Sequence, residues 1–109
     1  MNVKRKGNTG ERELAELLIS AGMTAHRNNQ MYVGGKNNPD VYAEIDGKPL
    51  HIEVKRVERL NVPEAIEQAI RDSAESSFPV VAHRKNRTQW LVTMPLLPLL
   101  EWLKGGGII

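Results

Sequence analysis

The chain has 109 residues, 40% of them hydrophobic and 26% charged, with a formal net charge of +2 and no cysteine. That length builds one core and not two, in the composition of an ordinary globular domain. Lack of cysteine excludes a disulfide framework, thiolate metal ligands and cysteine nucleophiles, and no apolar run reaches membrane-spanning length, so a cytoplasmic protein with no membrane partner is expected.

A first helix is predicted from Asn8 or Thr9, with Asn8 as N-cap and Glu11 three residues on as a capping box. Leu14, Leu17, Leu18 and Ala21 recur at helical spacing, and Gly22 supplies the stop. Glu11 lies at the N-terminal end of this stripe. It has two readings, a cap beside the helix dipole or a carboxylate leaning over a sheet. Glu13 and Glu16 point off the stripe and are expected in solvent. Met23 to Arg27 reads as a first strand. Asn28 to Asn38 is a polar loop whose Gly34-Gly35 could bring backbone amides to a phosphate or simply be flexible.

Asn38 to Arg56, NPDVYAEIDGKPLHIEVKR, reads as a hairpin turning at Asp46-Gly47, a type I′ pair. Counting outward, Ile45 faces Lys48, Ala43 faces Leu50, Val41 faces Ile52 and Asp40 faces Glu53. The apolar pairs share one side, while Tyr42/His51 and Asp40/Glu53 share the other. Opposed carboxylates destabilise a sheet unless something neutralises them. A divalent cation would do so, and oxygen ligation suits Mg²⁺ or Mn²⁺. Alternation sets Lys55 on the same face as the two acids.

A second helix is expected from Pro63 at its first position to about Ser76, with Ile66, Ala69, Ile70, Ser73 and Ala74 inward and Asp72 among the outward residues. Phe78-Pro79 opens a strand through Arg84. A loop over Lys85, Asn86, Arg87 and Thr88 leads to another strand from Gln89 to Thr93, so that a hairpin tip would present His83, Arg84, Lys85 and Arg87. Trp90, Leu91 and Val92 read as core, with Trp90 as a base-stacking platform the lesser alternative. Pro95 and Pro98 fit the first turn of a last helix. Its leucines and Trp102 make it apolar all round, which predicts a homodimer interface. Acid-free basic runs at Lys4, Arg5 and Lys6, at Thr24 to Asn38 and at His83 to Arg87 could converge on one phosphate-tracking surface.

Pro39-Asp40, followed after twelve intervening residues by Glu53-Val54-Lys55, resembles the PD-(D/E)XK signature of restriction-endonuclease-like nucleases. With the early helical Glu11 and the short chain, the sequence is most similar to archaeal-type Holliday junction resolvases and related small phage nucleases. The resemblance implies an α/β (α+β) restriction-endonuclease-like fold, a central mixed sheet of about five strands in the order α-β-β-β-α-β-β-α. Chain length and the helix-breaking Gly105 to Gly107 predict a single nuclease domain over residues 1–104 with a tail from Gly105 to Ile109. By the same resemblance, Glu11, Asp40, Glu53 and Lys55 form the catalytic set, with Mg²⁺ (or Mn²⁺) held by Asp40, Glu53, Glu11 and the Val54 carbonyl, and Gln68 as support or a plain surface residue. Arg27 resembles an arginine found near this point in such resolvases. With Lys4, Arg5, Lys6, Lys36, Arg56, Arg84, Lys85 and Arg87 it is the candidate DNA-binding set. The expected activity is metal-dependent cleavage of branched DNA by a homodimer. The alternatives are a nicking or processing nuclease of the same fold and a non-catalytic nucleic-acid-binding module.

Overall fold

The structure is a computed structural model that describes residues 3–27 and 38–105. Its elements run α1 (Val3–Ser20), β1 (Thr24–Arg27), β2 (Val41–Ile45), β3 (Lys48–Arg56), α2 (Val62–Asp72), β4 (Phe78–Arg84), β5 (Leu91–Thr93) and α3 (Leu96–Gly105). The five strands form one sheet in chain order, antiparallel except at β3–β4, which pair in parallel. That one parallel step is where α2 crosses over, as a parallel connection requires.

The hairpin forms in the register expected, with Val41 opposite Ile52, Ala43 opposite Leu50 and Ile45 opposite Lys48. Asp46 at φ 50° and Gly47 at φ 78° take the two left-handed positions that a type I′ turn demands. Alternation then divides the sheet. Val41, Ala43, Leu50, Ile52, Val54, Val80 and Ala82 bury one face with Leu14. Phe78 packs on the same cluster and stacks on Trp102 of α3, ring centroids 5.8 Å apart. Val81 faces the other way, onto Ala65 and Ala69 of α2. The small alanines let α2 lie close on the sheet.

α1 departs from expectation in three ways. It begins at Val3, so Asn8 lies inside the helix and the Asn8–Glu11 capping box does not form. Its inner stripe is Leu14, Ala15 and Leu18, while Leu17 stays 49% exposed. The helix turns on Gly10, whose missing Cβ would stand 3.1 Å from Arg56 Cβ and 3.5 Å from Val54 Cγ1. This close approach to β3 explains a buried glycine within a helix. At the far end, Gly22 at φ 91° closes the helix. Its amide donates to Ile19 O at 2.9 Å and that of Met23 to Leu18 O at 3.0 Å, a Schellman cap.

α2 is capped by Asn61, whose Oδ1 accepts from the Glu64 amide at 3.1 Å, so Val62 comes first and Pro63 second. It ends at Asp72 and buries Ala65, Ala69 and Asp72; Ile70 is exposed and Asp72 is inward, each the reverse of expectation. Packing of Ala65 and Ala69 on Val81 sets the inward face, which turns Ile70 out and Asp72 in. β5 is shorter than expected, and Leu91 and Val92 are exposed rather than core, because β5 is an edge strand. α3 continues through Gly105, the first residue of the expected tail. No described helix is long and apolar enough to cross a membrane.

Candidate active site

Strand pairing brings Asp40 to Glu53. Asp40 precedes β2, and the Val54 amide donates to its Oδ2 at 2.9 Å, extending the hairpin ladder by a side-chain bond. The Asp40 carboxyl is in hydrogen-bond contact with that of Glu53. Burial and the Glu53 carboxylate, with a smaller push from Glu11, raise the Asp40 pKa to about 7 against the pull of the Val54 amide. Near neutrality the Asp40 carboxyl is therefore held partly protonated, which relieves a repulsion that a cation would otherwise relieve.

Glu53 is itself buried, and its Oε1 lies 3.0 Å from Nε2 of the equally buried His51. Lys55 follows on the same face, and its Nζ donates to Gln68 Oε1 of α2 at 3.2 Å. Glu11 feels the same field. Burial raises its pKa, Arg27 pulls it down and Glu53 pushes it up again. The structure thus gathers Glu11, Asp40, Glu53, Lys55, Val54, Gln68 and Arg27 at one end of β2 and β3.

Among the described residues, no group of three or more His, Asp or Glu side chains is placed to hold a metal ion. The donor chemistry at Asp40 and Glu53 nevertheless suits a hard cation. Two neighbouring carboxylates with water and substrate phosphate oxygens are an ordinary complement for Mg²⁺.

The candidate DNA contacts divide. Lys85 and Arg87 are exposed on the β4–β5 turn, where Arg87 takes φ 65°. Arg56 and Arg84 are held by Glu13 instead: Arg56 Nε stands 3.6 Å from Glu13 Oε2, and Arg84 Nη1 donates to Glu13 Oε1. Trp90 Nε1 donates to the same oxygen at 3.0 Å, and Arg84 lies over the Trp90 ring at 5.9 Å. Glu13 is therefore a partly buried hub, not a solvated residue, and half-buried Trp90 packs against the core. His83 bonds Thr93 Oγ1 at 3.0 Å. Lys4, Arg5 and Lys6 lie in the first turns of α1, their side chains outside the described set, and Lys36 with Gly34-Gly35 falls outside the described residues.

Sequence reasoning passed over His51 and misplaced Glu13. The signal for His51 was present, since it stands two residues before Glu53 on a strand. Nothing in the sequence signals that Glu13 meets Arg84, 71 residues away.

The profile of the family described as "Phage putative PDDEXK endonuclease" matches residues 2–106. The chain is similar to the solved structure of Hjc, a Holliday junction resolvase from the archaeal hyperthermophile Archaeoglobus fulgidus, at 28% identity and a TM-score of 0.58. That similarity covers 82% of this chain and 72% of the resolvase. No curated protein sequence matches. The fold is restriction-endonuclease-like.

Proposed function

The chain belongs to the phage PDDEXK endonuclease family, and from there we propose that it is a Mg²⁺-dependent endonuclease cutting branched DNA, with Mn²⁺ able to substitute. The observation that carries the reading is the paired carboxyls of Asp40 and Glu53 beside an ammonium, that of Lys55, held by its own hydrogen bond.

Asp40 and Glu53 would hold the ion, with Glu11 adding negative charge from α1 and the Val54 carbonyl a further oxygen. Bound there, a divalent ion neutralises charge on the scissile phosphate and lowers the pKa of the attacking water. The Val54 amide fixes the Asp40 rotamer by holding Oδ2, which leaves Oδ1 as the oxygen to hold an ion. Lys55 stabilises the anionic transition state or orients the water, and the Gln68 oxygen holds the ammonium in place. Exposed Lys85 and Arg87 are open to the phosphate backbone, and Lys4, Arg5 and Lys6 in the first turns of α1 would add their charge to it. Arg56 and Arg84 support that surface through Glu13.

The branched substrate comes from the likeness to the archaeal resolvase. Resolving a four-way junction requires paired cuts. The exposed Leu96 and Leu97 of α3, the latter 73% accessible, offer an apolar face for a homodimer of residues 1–104. The test is cleavage of a labelled four-way junction against linear duplex, flap and nicked substrates of the same sequence in Mg²⁺. Paired nicks confined to the junction support the reading; equal cutting of linear duplex removes junction selectivity and leaves a processing nuclease.

A further inference from the structure

Of the two buried polar side chains on the motif strand, His51 and Glu53, His51 is the one to which the reaction gives no task. It pairs with Tyr42 in the β2–β3 register and shares the Glu53 face. His51 and Glu53 are each 4% exposed, and Nε2 approaches Oε1 to 3.0 Å. In the tautomer that carries its proton on Nε2, the imidazole donates and the Glu53 oxygen accepts. His51 is buried on the sheet face opposite Leu50, Ile52 and Val54, and burying an imidazole is costlier than burying a valine unless the bond it makes serves a purpose.

A carboxylate on a flexible two-carbon stem can offer a cation either oxygen in several orientations. Engaging one oxygen with a fixed donor removes most of that freedom, as outer-shell partners do at metal centres. The Val54 amide does this for Asp40. His51 stands in the same relation to Glu53.

We propose that His51 is a positioning residue for the divalent cation: its Nε2–H holds Glu53 Oε1 and turns Oε2 toward the ion shared with Asp40. This rests on the metal-dependent reading above. It makes no demand on the substrate and acts before DNA arrives.

The test is Mn²⁺ binding to the full chain without DNA, by calorimetry and by the paramagnetic signal of the free ion, on wild type, His51→Gln, His51→Phe and Asp40→Asn. His51→Phe, which keeps bulk but has no donor, is expected to bind Mn²⁺ about 10- to 100-fold more weakly. His51→Gln, whose amide can donate over a similar reach, should stay within about threefold of wild type, following the same outer-shell logic. A folded His51→Phe protein that binds as wild type does, while Asp40→Asn does not, overturns the role of His51 and leaves the metal reading standing. No Mn²⁺ binding by wild type overturns the metal reading, and this proposal with it. Should His51→Phe not fold, ¹⁵N spectra of wild type decide. Mg²⁺ should move the His51 ring resonances and leave those of His26 and His83 in place. An unmoved His51 ring, with backbone amides of the motif strand shifting, contradicts the proposal.

Discussion

The Val54 amide donates to Asp40 Oδ2 across 2.9 Å, binding the residue before β2 to the strand that carries Glu53 and Lys55. One bond thus sets both the rotamer of the first acid and its distance from the second. Asparagine at position 40 keeps an oxygen for that bond and loses the charge. Asp40→Asn should therefore fold, bind DNA within a few-fold of wild type and lose cleavage by at least about 100-fold, the scale of a lost electrostatic contributor. Gel-shift and cleavage assays on the same preparation check this. Lost binding by a folded variant would mean that the carboxylates organise the DNA surface.

The metal-free protein should lose stability as pH rises. Asp40 holds its proton up to about pH 7 when folded and releases it near its ordinary value of 3.8 when unfolded. Unfolding therefore releases a proton between about pH 4 and pH 7. The native state is favoured below that window, and the advantage is lost as pH climbs through it. Glu11, also raised, acts in the same direction. His83, lowered by burial, acts oppositely below its ordinary value of 6.5. The difference between wild type and Asp40→Asn in urea melts from pH 4.5 to pH 8 with EDTA isolates the Asp40 contribution. The variant should gain relative stability as pH rises, and a pH-independent difference would contradict the shift.

Lys55 and Gln68 should act as a unit. Lys55→Arg is expected to leave most activity lost, because a planar guanidinium cannot occupy the place of a compact ammonium bonded to Gln68 Oε1. Gln68→Ala should lower kcat about tenfold with little change in KM, and should add almost nothing in the Lys55→Ala background. Full cleavage by Lys55→Arg, or additive losses, would separate the two residues.

Much of this site is legible in the sequence because local rules decide it. Asp46-Gly47 fixes the hairpin, the hairpin fixes the register, and the register sets Asp40 against Glu53. The parallel step between β3 and β4 follows from a helix standing between them. What is illegible depends on contacts distant in sequence. The inner stripe of α1 turns because Gly10 must lie against Arg56, and Glu13 is drawn inward by Arg56, Arg84 and Trp90. The inward face of α2 is chosen by Ala65 and Ala69 packing on Val81 of a later strand.

Those distant contacts make destabilising two substitutions that propensity alone would call harmless. Alanine for a helical glycine ordinarily stabilises by up to about 1 kcal/mol. At Gly10 the added Cβ meets Arg56 Cβ at 3.1 Å, and neither atom is at the end of a flexible chain. Gly10→Ala should therefore destabilise. Glu13→Ala should cost about 1–3 kcal/mol, since two half-buried guanidiniums and the Trp90 N–H lose an acceptor together. Thermal melts of both variants check this, and a raised Tm for Gly10→Ala would show that α1 has room to move.

The most direct test of the central claim is cleavage of a labelled four-way junction by wild type and Glu53→Gln, each with Mg²⁺ and with EDTA, alongside binding to the same DNA. The predicted result is nicking by wild type in Mg²⁺ alone, with Glu53→Gln binding the junction and leaving it intact. Cleavage in EDTA, or by Glu53→Gln in Mg²⁺, would contradict a metal-dependent nuclease centred on Asp40, Glu53 and Lys55.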